Sequence, residues 1–275
     1  MRLIAFGGDA RMDGALAAAR RSGWDTVHVR QEEDVLKGIR ADAVMLPWPH
    51  SFHEGRLTGG EMSREQTLAL LPPCRVLLHG SGVSNADIPQ GTTPVNPAAD
   101  EEFLRTNAEL TAEGAVSKIL QRSGRAVMGS TCVITGFGRI GRALAARLCA
   151  LRAFVIVCAR SETQMRQAHD MGAHPVPLAS ISSALRHADT VINTVPARLM
   201  GWEELRQIKK DALLIELASL PYGADPALAE HLGVEMLVLG GLPGRYAPQN
   251  AGEALFCALQ RALDSGKEKG GQADG

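Results

Sequence analysis

The sequence predicts an α/β protein with two doubly wound parallel-sheet domains. Short apolar strands alternate with amphipathic helical segments along most of the chain, a pattern typical of parallel sheets with right-handed crossovers. A long helical stretch, residues 98–123, separates two such series. The chain has 275 residues, of which 45% are hydrophobic, which allows roughly two domains with cores of ordinary size.

Apolar runs bounded by turn residues mark the expected strands. In the first domain these strands are residues 1–6, 25–30, 41–47 and 74–79. In the second domain they are residues 131–135, 154–158, 190–194, 213–217 and 234–239.

The first strand of the second domain runs directly into a glycine fingerprint, Gly136-x-Gly138-x-x-Gly141. The first glycine permits a tight turn, the second lets the backbone approach a pyrophosphate, and the third lets the next helix pack on the sheet. That helix begins near Arg139, with Ile140 on its apolar side, and its N–H groups point at the anion. The segment predicts a Rossmann dinucleotide-binding domain. The alternative is an ordinary strand–turn–helix that binds nothing.

The residues after the second strand of this domain bear on which dinucleotide binds. An acidic residue normally ends this strand and binds the adenosine ribose of NAD, but Arg160 and Ser161 stand there instead. Because an arginine can pair with a 2′-phosphate and a serine can add a donor, the sequence favours NADP. NAD stays open, since Arg160 can be solvated, Ser161 can be an N-cap and Glu162 can bind the ribose.

Two later strand ends of the second domain are also expected at the coenzyme. Thr194 ends one predicted strand and is followed by Val195 and Pro196, and Ser219 follows the next strand. Ligands of open parallel sheets bind beyond the carboxyl ends of the strands, so these residues should lie against the ribose and nicotinamide.

Gly-rich loops end two strands of the first domain, and we expect the substrate in a cleft between the domains. Residues 7–11 and 80–85 suit close backbone approach to a small anion. Arg11 is a candidate for a bidentate pair with a carboxylate, and Gly82 and Arg245 are further substrate-binding candidates. The alternatives are plain turn chemistry for the loops and a solvated position for Arg245.

Glu113 lies on the long helix between the two domains. A glutamate buried beside the hinge would have a raised pKa and could act as an acid or a base. A surface glutamate is the alternative interpretation.

Composition and charge exclude several classes of partner. A net charge of −1 provides no field that would attract nucleic acid or a membrane surface, so we expect neither partner. We see no apolar stretch of about 18 residues and no signal-peptide pattern, and therefore expect a cytoplasmic protein. The five cysteines form no CxxC pair and are read as reduced core residues. We expect no metal site, because the HxxH of His50 and His53 lacks a carboxylate partner at helical spacing.

The strings at these strand ends occur together, in this order, in a known family. They are Gly7-Gly-Asp-Ala-Arg11, Ser81-Gly-Val-Ser-Asn85, Thr111-Ala-Glu-Gly114, Gly136-Phe-Gly-Arg-Ile-Gly141, Ala159-Arg-Ser161, Ile192-Asn-Thr-Val-Pro196 and Gly241-Leu-Pro-Gly244. From Arg2 to about Leu263 the chain resembles the family of dipicolinate synthase A subunits from spore-forming bacteria.

The resemblance implies oxidation of a small cyclic dicarboxylate, dihydrodipicolinate or its hydrated precursor, to dipicolinate with NADP. It also implies an oligomer that includes a flavoprotein B subunit, and it makes Glu113, Ser84 and Asn85 candidates for proton handling or water loss. A reductase of another small carboxylate and a non-catalytic dinucleotide-binding regulatory subunit stay open.

The domain boundaries follow from these assignments. We place an N-terminal flavodoxin-like substrate domain at residues 1–108 and the Rossmann domain at 109–245. By analogy with two-domain dehydrogenases, a helix over 246–264 packs back on the first domain. Residues 265–275, rich in Gly, Lys and Glu, are expected to be a disordered tail.

Overall fold

The computed structural model of the chain describes residues 1–34 and 40–270. It divides into two compact units, unit 1 (Met1–Asn107 and Pro243–Gly275) and unit 2 (Ala108–Leu242). The boundaries between the units fall after residues 107 and 242, whereas the sequence predicts boundaries after residues 108 and 245. The second difference arises because Leu242 is buried in the core of unit 2, whereas the backbone of Gly244 lies against Arg11 in unit 1.

Strands and helices alternate through both units. The strands are β1 (Arg2–Phe6), β2 (Asp25–Val29), β3 (Ala43–Met45), β4 (Phe52–His53), β5 (Arg56–Leu57), β6 (Val76–Leu78), β7 (Thr93–Val95), β8 (Thr131–Thr135), β9 (Phe154–Ala159), β10 (His174–Pro177), β11 (Thr190–Asn193), β12 (Leu213–Glu216) and β13 (Glu235–Val238). The α-helices are α1 (Ala10–Arg21), α2 (Arg64–Ala69), α3 (Glu101–Arg122), α4 (Arg139–Ala150), α5 (Glu162–Asp170), α6 (Ile181–Leu185), α7 (Trp202–Leu205), α8 (Pro226–His231), α9 (Leu242–Tyr246) and α10 (Pro248–Gly270).

Unit 1 contains a five-stranded sheet in the order β2-β1-β3-β6-β7, and all of its pairings are parallel. This is the strand order of flavodoxin-like sheets. Strands β4 and β5 form a small antiparallel hairpin beside it. The carboxyl ends of β1, β3 and β6 therefore lie at one edge of the sheet, and this edge carries the loops predicted to bind the substrate.

The C-terminal helix α10 packs against α1 within unit 1. Leu255, Phe256 and Leu259 are buried there, and the Phe256 ring meets the Trp24 ring edge-on at 5.4 Å. A Cβ added to Gly252 would lie 2.0 Å from the carbonyl oxygen of Arg11, so the two helix backbones are in contact. Only a residue without a side chain allows this approach.

The C-terminal helix extends further than the sequence predicts. It continues to Gly270, so the described part of the expected disordered tail, residues 265–270, is helical. No proline interrupts this stretch, and the Ser265 hydroxyl donates to the Arg261 carbonyl oxygen one turn earlier. Residues 271–275 lie outside the described residues.

Unit 2 contains a six-stranded parallel sheet in the order β10-β9-β8-β11-β12-β13. Renumbered within the unit, this is the 3-2-1-4-5-6 order of the Rossmann fold, and the order reverses between β8 and β11. The buried residues of α3, α4 and α5 pack on one face of the sheet, and those of α6, α7 and α8 pack on the other. The two parallel sheets, with helices packed against them, confirm the predicted α/β fold class.

The sequence does not predict four of the strands: the two short strands of the β4–β5 hairpin, and β7 and β10 at the edges of the two parallel sheets. Strand β7 contains Pro94, and β10 contains Pro175 and Pro177. Proline has no backbone N–H to donate to a neighbouring strand. An interior strand has neighbours on both sides and needs its donors, whereas an edge strand tolerates proline. Within residues 1–34 and 40–270, no helix has both the length and the apolar character to cross a membrane.

Candidate functional site

The turn after β8 has the geometry that its glycines predict. Gly136 adopts φ 92°, and a Cβ there would lie 2.5 Å from Val195 Cγ2. A Cβ on Gly141 would lie 2.3 Å from the carbonyl oxygen of Gly136, so α4 packs directly on the turn. A Cβ on Gly138 would meet no atom within 4 Å. Two of these glycines therefore serve the packing of the turn, whereas Gly138 opens onto free space.

Helix α4 begins at this open position. Gly138 is its N-cap and provides no side-chain cap for the first-turn N–H groups. The N-terminus of a twelve-residue helix carries a partial positive charge, so an anion placed over Gly138 is favoured. A dinucleotide pyrophosphate fits this arrangement.

A cavity of about 220 Å³ lies beside the turn, at the point where the strand order reverses. Residues that follow β8, β9 and β11 contribute most of its lining, which is where ligands bind in sheets of this order. The lining residues are Gly136, Phe137, Gly138, Cys158, Ala159, Arg160, Gln164, Leu178, Thr194, Val195 and Pro196.

Arg160 lies at this cavity and Ser161 does not line it. Arg160 is exposed and directly follows β9. The Ser161 hydroxyl accepts a hydrogen bond from the backbone N–H of Gln164 at 3.2 Å and caps the N-terminus of α5. The capping role that the sequence left open as an alternative is therefore the one that the serine performs here.

The other predicted cofactor residues occupy different surroundings. Arg139 is exposed at the first position of α4, and Ile140 packs against the core of unit 2. Ser219 is exposed in the segment after β12 and does not line the cavity.

A buried polar group at this edge of the sheet was not predicted from the sequence. Thr135, Asn193 and Glu216 are the last residues of β8, β11 and β12, and they are paired in register across the three strands. Thr135 Oγ1 donates to Asn193 Oδ1 at 2.5 Å, and Asn193 Nδ2 donates to Glu216 Oε1 at 2.7 Å and Oε2 at 2.9 Å. Their exposed fractions are 0%, 0% and 1%.

The network extends into the segments that follow the strands. Asn193 accepts from the Val195 N–H at 3.2 Å and donates to the Val195 carbonyl oxygen at 3.0 Å. Glu216 accepts from the N–H groups of Ala218 and Gly223, each at 2.8 Å. Burial raises the pKa of Glu216 above its ordinary value, although the bonds from Asn193 and the backbone act in the opposite direction. A polar residue at the same register position of three adjacent buried strands is the signal that could have revealed this group.

In unit 1, Arg11 is paired within its own loop. Its Nε donates to Asp9 Oδ1 at 2.9 Å, and its Nη2 donates to Asp9 Oδ2 at 2.8 Å. These bonds outweigh the effect of burial and hold the pKa of Asp9 below its ordinary value. The backbone of Gly244 packs against the same guanidinium, while Arg245 is exposed on α9. The bidentate face that we expected a substrate carboxylate to occupy is therefore taken by Asp9.

The loop after β6 is held together by a second acidic residue. The Ser84 hydroxyl donates to Asp87 Oδ2 at 2.8 Å, and Arg64 Nη2 donates to the same oxygen at 2.5 Å. The bond from the Ser84 backbone N–H, followed by these contacts, lowers the pKa of Asp87. The Ser84 hydroxyl is thus engaged within the turn, and its role in proton handling stays a prediction. Gly82, at φ 89°, and Asn85 are exposed in the same loop.

A histidine–serine pair also lies at the carboxyl edge of unit 1. His50 Nδ1 is 2.6 Å from Ser81 Oγ, across the loops that follow β3 and β6. The buried Ser51 hydroxyl accepts from the Gly80 N–H at 2.8 Å and donates to the Pro47 carbonyl oxygen at 3.0 Å. The sequence pattern indicates His50 only as part of an HxxH and does not reveal its pairing with Ser81.

Of the two interpretations that the sequence leaves open for Glu113, the structure agrees with the surface position. Its side chain is 45% exposed and accepts a hydrogen bond from Arg147 Nη2 at 3.0 Å. Arg147 also pairs with Glu109, one turn earlier on α3. Helix α3 therefore directs Glu113 toward a cation of α4 and not into an apolar pocket.

The cysteines of unit 2 are free thiols with little thiolate character. Burial raises the pKa of Cys158, in the cavity lining, to about 12 and that of Cys132 to about 11. A thiol that stays protonated is a poor nucleophile. Neither cysteine is a candidate for covalent chemistry at the cavity.

This geometry agrees with the comparisons between the chain and known proteins. Residues 101–235 match the family model described as "D-isomer specific 2-hydroxyacid dehydrogenase, NAD binding domain". Unit 2 is therefore a nicotinamide-dinucleotide-binding domain of the kind found in oxidoreductases.

Relatives that match most of the chain narrow this class to one family. The A subunit of dipicolinate synthase from Bacillus subtilis (strain 168) is 30% identical over 238 residues, which are 84% of this chain and 80% of the relative. The crystal structure of the A subunit of dipicolinate synthase from Bacillus halodurans superposes with a TM-score of 0.81 at 26% identity, over 95% of this chain and 97% of that one. The A chain of the Bacillus subtilis synthase superposes with a TM-score of 0.80 at 25% identity, over 98% and 97%. The chain belongs to the family of dipicolinate synthase A subunits.

Proposed function

We propose that this chain is the A subunit of a dipicolinate synthase that acts during sporulation. It oxidises dihydrodipicolinate, or the hydrated precursor of that compound, to dipicolinate with NADP. The observation that carries the proposal is the likeness to dipicolinate synthase A subunits over most of the chain, together with the open helix N-terminus at Gly138.

From dihydrodipicolinate the reaction removes two hydrogens from the ring, and the hydrated precursor must in addition lose one molecule of water. A ring C–H bond breaks, its electron pair leaves as hydride to the oxidised nicotinamide when the coenzyme is bound, and one proton leaves to a base or to water. The product is an aromatic pyridine, and aromatisation supplies driving force. The protein must therefore mainly orient the substrate and neutralise its two carboxylates.

Residues of unit 2 support the coenzyme part of the proposal. The N–H groups at the start of α4 are suited to hold the pyrophosphate. Arg160, exposed at the cavity, is suited to pair with a 2′-phosphate, which favours NADP over NAD. Thr194, Val195 and Pro196 border the side of the cavity next to β11.

Residues of unit 1 support the binding of a dicarboxylate. Asp9 holds the Arg11 guanidinium in one orientation through Nε and Nη2, so a substrate carboxylate would pair with Nη1. Gly82 contributes exposed backbone next to the His50–Ser81 pair. Asn85, in the loop after β6, and Arg245, on α9, are exposed donors. Glu113 stays a candidate catalytic residue, as a carboxylate whose charge Arg147 balances.

We further propose that the chain works in the cytoplasm as an oligomer with a flavoprotein B subunit. The relative from Bacillus subtilis is named as one lettered subunit of a synthase, which supports an assembly of more than one kind of chain.

The test is a reconstitution with and without the candidate B subunit. The product of the upstream synthase and NADP are added to the purified chain, and NADPH and the pyridine product are measured by their ultraviolet absorbance. We expect the two products to form in a one-to-one ratio. Tight NADP binding without NADPH formation would instead indicate a regulatory role. NADPH consumption with another small carboxylate would indicate a reductase.

A further inference from the structure

The polar group at the ends of β8, β11 and β12 requires a physical explanation. Glu216 is 1% exposed, in a sheet whose buried strand residues are mostly apolar. A buried carboxylate has a large desolvation cost, and well-packed apolar residues often replace such groups without loss of stability. A contribution to stability alone is therefore a weak reason for placing an acid at this position.

The contacts of Glu216 show what it does to the backbone. Every hydrogen bond that it makes is one that it accepts, from Asn193 Nδ2 and from the backbone N–H groups of Ala218 and Gly223. The two backbone donors bracket the segment after β12, which includes Ser219. One carboxylate thus fastens both ends of that segment.

Asn193 carries the same constraint to the neighbouring segment. It engages both the N–H and the carbonyl oxygen of Val195, and Val195 lines the cavity. A Cβ on Gly223 would lie 2.5 Å from Asn193 Nδ2, so the segment after β12 is packed directly on this amide. The two segments are therefore held by one hydrogen-bonded pair.

The position of these segments assigns them to one half of the coenzyme. In a sheet of this order, one mononucleotide half binds over the strands on each side of the reversal point. Strand β9, with Arg160 at its end, is on the adenosine side, so β11 and β12 are on the nicotinamide side.

We propose that Glu216 is a positioning residue that, together with Asn193, fixes segments 194–196 and 218–223 in the conformation that receives the nicotinamide nucleoside. This inference rests on the proposed coenzyme site. It does not depend on which carboxylate is oxidised.

Glu216→Gln is the sharpest perturbation, because it keeps the size and removes one acceptor. Each carboxylate oxygen accepts from Asn193 and from one backbone N–H. The amide of glutamine would place a donor against those donors at one end of the segment. That end of the segment 218–223 would be released while the glycine turn after β8 is untouched.

The experiment compares two probes on the full chain, NADPH and adenosine 2′,5′-bisphosphate, which carries the adenosine half only. If the wild type prefers NADH, then NADH and ADP replace them. For Glu216→Gln we expect the Kd of NADPH to rise about tenfold or more and the Kd of the fragment to change less than about twofold. Glu235→Gln is the matched control, since this exposed glutamate on β13 pairs with Arg122, and it should change neither Kd.

Equal weakening of both probes, or no weakening of either in a folded variant, would overturn the proposal. If Glu216→Gln does not fold, Thr135→Val tests the proposal in its place. This variant keeps the side-chain volume and removes only the hydroxyl that donates to Asn193 Oδ1. We expect Thr135→Val to raise the Kd of NADPH about threefold without a matching change in the Kd of the adenosine fragment. An unchanged Kd of NADPH would refute the inference. A wild type that binds NADPH but oxidises no dihydrodipicolinate would contradict the proposed function and leave this inference standing.

Discussion

Gly138→Ala separates coenzyme binding from folding at the glycine turn. Gly138 has φ −80° and ψ −161°, a conformation open to any residue, and a methyl group there would meet no atom within 4 Å. Replacing glycine stabilises by about 0.4–1 kcal/mol through the unfolded chain, and alanine as an N-cap costs a similar amount. We therefore expect the free energy of unfolding to stay within about 0.5 kcal/mol of the wild-type value.

The effect on binding should be far larger. The methyl group would occupy the space through which a pyrophosphate approaches the first turn of α4. A hydrogen bond to a charged group contributes about 1.5–3 kcal/mol, and lifting the pyrophosphate away from the turn weakens at least one such bond. The Kd of NADPH should therefore rise about tenfold to 150-fold.

Gly141→Ala supplies the contrasting variant. Its methyl group would lie 2.3 Å from the carbonyl oxygen of Gly136, so α4 must move away from β8. Overpacking of this kind costs about 1–3 kcal/mol of stability. Urea unfolding followed by circular dichroism measures the stability of both variants, and NADPH fluorescence titration measures the binding. A folded Gly138→Ala protein with the wild-type Kd would refute the placement of the pyrophosphate.

The remaining predictions concern three charged residues. Arg160→Ala should weaken the binding of NADPH by about 1.5–3 kcal/mol and barely change the binding of NADH in paired titrations, with the exposed Arg166→Ala as control. Equal losses of affinity for both coenzymes would exclude a contact between Arg160 and the 2′-phosphate. Asp189→Asn should lower the free energy of unfolding near neutral pH by about 1–2 kcal/mol, because Asp189 accepts a backbone N–H at 2.8 Å and Lys209 Nζ at 3.0 Å. Burial raises the pKa of Asp189, but these bonds outweigh it and hold the pKa below its ordinary value. The stabilisation is therefore present above the unfolded-state pKa of about 3.9 and is lost as pH falls through the folded-state pKa, so the difference between the two unfolding curves should shrink there; a gap that is independent of pH would contradict this account. Arg11→Ala should raise the KM for the dicarboxylate or lower turnover, with an unchanged Kd for NADPH. Weaker binding of NADPH to this variant would indicate that Arg11 contacts the coenzyme and not the dicarboxylate.

The sequence predicts the parts of the fold that one local rule determines. The fingerprint Gly136–Gly141 specifies the turn and the helix start, because Gly136 and Gly141 each lie where a side chain would clash with its neighbours, and Gly138 keeps the helix N-terminus open. The interior strands are equally predictable, since burial on both faces requires continuous apolar runs. Strands β7 and β10 cannot be found by looking for continuous apolar runs. Each is a sheet edge, where proline is tolerated and the apolar run is short.

The candidate site is less predictable because capping and catalysis use the same residue types. Ser84 and Ser161 follow strands, as catalytic serines can, but both hydroxyls are engaged at the start of a helical turn. The pairing of Arg11 with Asp9 spans only two residues, yet a sequence does not say whether an arginine turns toward its neighbour or toward a ligand. In each of these cases the deciding quantity is a side-chain rotamer, which no spacing rule contains.

Glu216 shows the opposite difficulty, since its role depends on residues distant in the chain. Thr135, Asn193 and Glu216 are separated by 58 and 23 positions, and only the parallel register of three strands brings them together. Each one alone has an ordinary interpretation as the polar end of a strand. Once the 3-2-1-4-5-6 order is assigned, however, the last residues of β8, β11 and β12 must be neighbours, and a buried acid among them needs donors. The backbone of the coenzyme-side segments supplies those donors. The cost of burying the carboxylate is therefore offset at the place where the fold needs an ordered loop.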